Sequence, residues 1–374
     1  MRPMTHVFDS LLSQRIRISR VVCIFFMTFV HVHPGWRDVD YATRGIGFFD
    51  GVHRFVTDVL GRCAVPLLSI IAGYLLVESL SRQNHGAMIL NKIKTLLVPM
   101  VLWNVFLVSL VLLYNGITHR VEAGLPVTWL EWGNAIFAIT APPANQQLAF
   151  LRDVFACSVL SPFLIFCARH FPVPALLGLA IVVVTGVKVS LVLNGQVLFF
   201  FFIGLVVRLR LGRGIDFSRY ATLLVVGFFV AAGVRMLTGV LCWQACATVP
   251  PVLLHFIDSA TRLMITAAFW QATVYLVRWR IGSFIARMDR YVFIFFCSHV
   301  VVFKGLSPFA EPIFGGYYSP YYPIYFFIQP IIGLAAAIIC YEVLLRVHKP
   351  LLVLLCGKRV GFSSAKREPE LQGP

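Results

Sequence analysis

Charge is what this sequence has least of. Lysine, arginine, aspartate and glutamate make up 13% of its 374 residues, about half the share usual in a soluble domain. Acid is scarcer than base, with 16 Asp and Glu against 32 Lys and Arg. No CxxC pair and no His/Cys cluster has the spacing of a zinc site, so no metal is expected. There is no Walker loop and no GxGxxG, which excludes the familiar soluble nucleotide sites. No repeat is visible, and low complexity is confined to a polar tail, Ser363 to Pro374, that is expected to be disordered. Among the nine cysteines, Cys23, Cys157, Cys167, Cys297 and Cys340 sit in apolar runs as small fillers. Cys63 and Cys356 are isolated, and Cys242 with Cys246 share a loop where a disulfide can form in an oxidising compartment.

What is abundant is apolar surface. Hydrophobic residues are 59% of the chain and mean hydropathy is +0.83. Apolar runs lie near 18–33, 64–80, 96–115, 148–168, 172–190, 196–208, 222–241, 255–277, 290–304 and 324–346. They are too long, and alternate too little, for a closed β-barrel. The expected fold is an all-α polytopic membrane protein, a bundle of about ten transmembrane helices. Several runs fall short of the roughly 20 residues that cross a bilayer. The domain reading is a transmembrane domain over 1–350 and a basic cytoplasmic tail over 351–374. The net charge of +16 comes in short clusters between apolar segments, a pattern of helix orientation and not of nucleic-acid binding. With an even number of spans and the N-terminus inside, most of the 32 bases fall on the cytoplasmic side, among them Arg15, Arg17, Arg20, Lys92, Lys94, Arg287 and Arg290. Both termini are therefore expected in the cytoplasm. His31, Pro34 and Trp36 follow the first run where a signal peptide would show small residues, so that run is expected to stay in the mature protein.

Ionisable groups within or bordering the spans carry the chemistry, because they are costly there. Arg20 and His31 are eleven residues apart, three helical turns and about 16 Å on one face. One stripe thus carries a guanidinium near the inner surface and an imidazole deep in the bundle. A positive-inside anchor and a satisfied histidine are the bland alternatives. His299 lies in an otherwise apolar stretch. Arg152 and Asp153 open the fourth run, and Asp258 and Arg262 are four apart on the eighth; both pairs can neutralise themselves as structural ion pairs. The segment Gly35 to Arg62, with Asp38, Asp40, Asp50 and Asp58, reads as a solvated loop, although it is also placed to shape an acceptor site. The tyrosines from Tyr317 to Tyr322 suit either sugar stacking or an interfacial belt.

These residues resemble the membrane-bound acyltransferase 3 family. Arg20 to His31 has its Arg-x10-His pattern. Val65-Pro66-Leu67-Leu68-Ser69-Ile70-Ile71-Ala72-Gly73-Tyr74-Leu75-Leu76 is similar to its second helix, and Lys92 to Pro99 to the basic segment before the third. Phe150-Leu151-Arg152-Asp153 with Leu160-Ser161-Pro162, Phe202-Ile203-Gly204, and Tyr291 to His299 follow in the same order, from residue 15 to about 345. The exopolysaccharide-modifying members, including succinoglycan succinyl- and acetyltransferases, are the nearest in character. Two departures stand out: Lys92 and Thr95 occupy the places of a frequent Arg-x-x-Arg, and Ala72 replaces a frequent serine.

The resemblance implies an enzyme of the bacterial inner membrane that moves an acetyl or succinyl group from cytoplasmic acyl-CoA, a co-substrate and not a resident cofactor. The acceptor would be a hydroxyl of an exported glycan or lipid-linked oligosaccharide, and the surroundings membrane lipid. His31 would be the general base, with Arg20 and Arg152 beside it. Arg20, Lys92, Lys94 and Tyr74 would hold the coenzyme, and Asp153, His299 and Arg262 the substrates. A transporter or flippase, or a non-catalytic component of polysaccharide export, remains the alternative.

Overall fold

The computed structural model describes residues 3–33, 35, 47–118, 126–189, 191–212, 217–245 and 250–357, and these are helical, with no strand among them. The helices are α1 (Pro3–Thr28), α2 (Phe48–Arg54), α3 (Ala64–Leu80), α4 (His85–Lys92), α5 (Val98–Thr118) and α6 (Trp129–Phe137). Then follow α7 (Ala149–Val159), α8 (Ser161–His170), α9 (Pro172–Thr185), α10 (Gly195–Arg210) and α11 (Ala221–Ala245). The chain closes with α12 (Pro251–Arg278), α13 (Arg280–Phe314), α14 (Tyr322–Val347) and α15 (Lys349–Leu355).

Among the described residues six helical runs are long and apolar enough to cross a membrane: Phe48–Leu80, His85–Thr118, Ser218–Thr238, Pro251–Arg278, Arg280–Phe314 and Tyr322–Val347. The α7–α8 pair, bent by 65°, makes a seventh if it is counted as one span. The bend falls where Pro162 enters the first turn of α8; proline lacks the N–H that would continue the ladder from α7. Each of the ten apolar runs in the sequence falls on a helix, but α9 has 14 residues and α10 has 16, and α1 carries Arg15, Arg17 and Arg20. Length and composition thus certify six or seven crossings and not ten. The outward faces are apolar: only 11% of the Ser218–Thr238 window is buried inside the protein, and Leu223, Phe229 and Val230 are exposed. Such a surface belongs against lipid, not water, and this is a multi-pass membrane protein.

Residues 48–63, expected to be part of a solvated loop, instead continue through a π-helical and a 3₁₀ turn into α3 as one run of 33 residues. The acids do not need water, because each has a partner. Asp50 is buried and accepts from Gly47 N at 2.6 Å and from the Tyr317 hydroxyl at 2.9 Å. Asp58 pairs with Arg62 at 3.0 Å. Asp38 and Asp40 lie outside the described residues, as does Cys246. Past residue 350, α15 packs back on the bundle, with Trp103 Nε1 donating to Leu355 O at 3.3 Å.

The most intimate crossing is between α3 and α10, and two glycines set it. A Cβ on Gly73 would stand 2.0 Å from Phe201 O, and one on Gly204 would stand 2.1 Å from Ile70 O. The two backbones touch where side chains would hold them apart, the usual device for packing helices in lipid. Both glycines belong to the sequence motifs that carry the family resemblance, and close packing is sufficient reason for them. Gly204→Ala is expected to destabilise the protein by roughly 1–3 kcal/mol through forced separation of the helices, and Gly73→Ala by a similar amount. Thermal unfolding in detergent checks this, with Gly116→Ala, which meets nothing within 4 Å, as the neutral control.

Candidate functional site

Helices α1 and α13 lie side by side and run in the same direction, joined by two contacts. Arg20 Nη2 is 3.2 Å from Asp289 Oδ2. Eleven residues later on α1 and ten later on α13, the rings of His31 and His299 are 5.3 Å apart, centre to centre. Ten or eleven helical steps span about 15–16 Å, so the ion pair and the imidazole pair are separated by roughly half a bilayer's hydrocarbon core. Both ends of the Arg20–His31 stripe therefore meet α13.

The position of His31 is fixed from beyond the helix. α1 tightens into a 3₁₀ turn, Phe29–His31, and the chain leaves it at Val32. There the carboxamide of Gln329, fully buried on α14, grips the backbone of His33 twice. His33 N donates to Gln329 Oε1 and Gln329 Nε2 donates to His33 O, both at 2.9 Å. Gln329 Nε2 also reaches the Tyr325 hydroxyl, and His33 Nδ1 lies 3.1 Å from Ser307 Oγ. His299 has no solvent exposure and sits among Phe295, Phe296 and Phe303. Its Nδ1 is 3.1 Å from Phe295 O, and its Nε2 is buried with no hydrogen-bond partner.

At the Arg20 end a cavity of about 480 Å³ opens between α1, α3, α7 and α13. Arg17, Arg20, Lys92, Arg287 and Arg290 line it, with Asp289 the one carboxylate. Its other walls are apolar and include Ile24, Leu68, Val154, Phe150 and Phe296. Phe296 is also a neighbour of His299, at 6.5 Å between ring centres, so one aromatic ring belongs both to the cavity wall and to the imidazole's surroundings. A cationic mouth with an apolar depth suits a ligand that carries phosphates at one end and a thin, uncharged arm at the other.

The structure thus brings together Arg20 with Lys92, and His31 with His299. It places the other sequence candidates elsewhere, none of them lining this cavity. Lys94 sits in the π-helical turn Ile93–Leu97. Tyr74 lines a separate apolar pocket between α1, α3, α10 and α12, donates to Gly212 O at 3.4 Å, and lies under the Arg208 guanidinium. Arg152 bonds to Asp153 at 3.0 Å and to the carbonyls of Leu191 and Ile139. Asp153 accepts from Leu193 N and Asn194 N at 2.8 and 2.9 Å. The pair ties the segment before α10 to α7. Arg262 pairs with Asp258 at 2.7 Å; Asp258 also meets Arg235 of α11 at 2.8 Å and accepts from Gln196 of α10 at 2.9 Å. One carboxylate thereby joins three helices. Within the tyrosine stretch, Tyr317 and Tyr322 are buried against Phe49 and Tyr317 also packs on His53, while Tyr321 is exposed.

Two residues that position this site were not singled out from sequence. Asp289 stands in the basic run Arg287-Met288-Asp289-Arg290, and a lone acid among cations was the available signal. Gln329 gave none, because its partner is a backbone about 300 residues away in the chain. Among the described residues no group of His, Cys, Asp or Glu could hold a metal ion.

A family model described as an acyltransferase domain matches residues 14–351. The chain is similar to the succinoglycan biosynthesis protein ExoH of Rhizobium meliloti (strain 1021), 28% identical over 380 residues that cover 96% of each chain. No solved structure matches.

The Asp258 cluster gives a stability test. Asp258→Ala leaves Arg235 and Arg262 without their carboxylate in a mostly buried setting, and stranded charges of this kind cost about 3–5 kcal/mol. Arg235→Gln keeps the Asp258–Arg262 pair and should cost clearly less. Melting of both variants in the same detergent compares them.

Proposed function

The chain belongs to the acyltransferase family whose domain model it matches over residues 14–351, and from that premise we propose that it moves a short acyl group from cytoplasmic acyl-CoA to a hydroxyl of an exported or lipid-linked glycan. The likeness to a succinoglycan biosynthesis protein supports a polysaccharide acceptor, with acetyl and succinyl as the candidate groups. In this reading the ten apolar segments all lie within the membrane of a bacterial cell, and both termini are cytoplasmic. The Arg20 end then faces the acyl-CoA pool and the His31 end faces the acceptor.

The observation that carries the reading is the pairing of α1 with α13. It sets a cationic cavity at one level and an imidazole pair about 15 Å further along the same two helices. Arg20 and Lys92, with Arg17, Arg287 and Arg290, receive the coenzyme's phosphates, and the pantetheine arm runs along the apolar walls. Phe296 turns aside to admit the thioester to His31. A sugar hydroxyl is a poor nucleophile until its proton is removed, and a neutral imidazole is suited to remove it. The oxygen then bonds to the thioester carbonyl carbon, the carbon–sulfur bond breaks, and the coenzyme thiolate takes the proton from His31. No covalent acyl-enzyme is required. Arg152, Asp153 and Arg262 act on this site by bracing the helices around it.

Replacing one side chain tests the proposal. His31→Ala should abolish O-acylation of the surface polysaccharide, a loss of at least about 100-fold, while protein level and polysaccharide export persist; mass analysis of the polysaccharide reads it. Export that halts with acyl content intact would point to a transporter instead. Lys92→Ala should raise the KM for acetyl-CoA or succinyl-CoA and leave kcat nearly unchanged, since it removes a contact made equally in the ground and transition states.

A further inference from the structure

We propose that His299 is the positioning partner of His31: its Nε2 accepts the N–H of the facing ring and so presents the opposite nitrogen of His31, bearing its lone pair, to the acceptor hydroxyl. This rests on the proposal that His31 is the general base, and it assigns a task to a buried side chain that direct transfer does not otherwise use.

Three observations carry it. The first is the orientation of His299. A carbonyl oxygen only accepts, so the nitrogen 3.1 Å from Phe295 O carries the hydrogen, and in the neutral ring Nε2 is left as an acceptor. The second is that this acceptor is stranded. Nε2 has no hydrogen-bond partner and the residue has no solvent exposure, and a buried acceptor without a donor is costly enough to need a reason. The ring's surroundings, Phe295, Phe296 and Phe303, supply no donor. The third is the distance to His31. Two imidazoles joined N–H···N at about 3 Å have their centres roughly 5 Å apart, and these stand 5.3 Å apart with a 53° tilt. The separation of the ring centres is thus that of a hydrogen-bonded pair, and the bond requires only that the two nitrogens be turned toward each other. The His31 backbone is already held by the Gln329 grip on His33, so the ring torsion is the freedom that remains.

The consequence is tautomer control. An unconstrained imidazole divides its hydrogen between two nitrogens, and a base works only with the lone pair on the reacting side. His299 can accept but not donate through Nε2, so it selects one tautomer of His31. When His31 takes the hydroxyl proton, the hydrogen it shares with Nε2 stays in place and His299 remains uncharged. In this dyad an uncharged ring does the orienting, which suits a depth where a carboxylate would be expensive to bury.

The test compares three variants at position 299 with His31→Ala. Each is purified in detergent and assayed with acetyl-CoA and succinyl-CoA, using as acceptor the cell's own polysaccharide stripped of esters by mild alkali. Melting curves ensure that rates are quoted per folded molecule. His299→Leu removes the acceptor and should lower kcat about 10- to 100-fold with KM for acyl-CoA within about twofold, the scale seen when orienting partners are lost. His299→Gln places an amide oxygen near the position of Nε2 and should recover most of that loss. His299→Asn, too short to reach that position, should stay as low as His299→Leu. Wild-type kcat in folded His299→Leu, or equal rates for Gln and Leu, overturns the dyad. If His31→Ala is inactive in the same assay while His299→Leu is fully active, the positioning role alone falls. If His31→Ala keeps its activity, the general-base proposal beneath it falls instead.

Discussion

Register between two parallel helices is the constraint on which the site depends. Arg20 and Asp289 fix α1 against α13 at one level, and ten or eleven residues further on both helices have come round to the same face. A shift of one residue would turn each side chain by about 100° and separate the two imidazoles. Other contacts guard against that shift. The Gln329 carboxamide fixes the end of α1 from α14, and Tyr291 of α13 donates to Glu342 of α14 at 2.7 Å. The same helix, α14, thus steadies both partners.

The bundle around this pair is built by close approach more than by burial against water. Lipid tails are as apolar as leucine, so exclusion of water gives the helices little reason to associate. What remains is backbone contact, as at Gly73 and Gly204, and charge satisfied between helices. Asp258 draws Arg235, Arg262 and Gln196 together from three helices, and Glu78 of α3 takes Arg208 of α10 at 2.9 Å. These groups look like candidates for chemistry when read along the chain, because ions are rare in apolar runs. In three dimensions each has an ion-pair partner on a neighbouring turn or helix, which is sufficient reason for its place there. His299 Nε2 is buried with no hydrogen-bond partner, and unlike these groups its ring lies against that of His31.

That contrast also explains what was legible in the sequence. The helical class, the apolar segments and the Arg20–His31 stripe follow from periodicity and from the cost of charge in lipid, which are local properties of the chain. Lys92 was legible as a base at a helix border. The partners were not. Nothing near His31 announces Gln329, and nothing in the acid-rich stretch around Asp50 foretells the Tyr317 hydroxyl that lets it be buried. For Arg152 the sequence shows a charge but not the three oxygens, of Asp153, Leu191 and Ile139, to which it donates. The number of crossings was readable only in part, since segments such as α9 and α10 are too short to declare themselves.

In the proposed reaction, donor and acceptor come from opposite sides of the membrane, so the site would have to admit one end of a charged donor without its charge. The arrangement here separates those duties along α1 and α13. Arg17, Arg20, Lys92, Arg287 and Arg290 supply the cations of the cavity, and Ile24, Phe150 and Phe296 are among its hydrocarbon walls. Phosphates held at Arg20 would gain charge-assisted bonds that would be lost on moving inward, so in this proposal a donor of sufficient length would reach the imidazoles with its uncharged end alone. The Arg20–Asp289 pair sharpens this, because the carboxylate in the cavity is already engaged when an anion arrives and repels it less than a bare acid would. Depth, charge and the Phe296 ring then act together. In the proposed reaction, that geometry would keep the donor's phosphates away from His31 and limit the loss of the thioester to hydrolysis before a hydroxyl takes it.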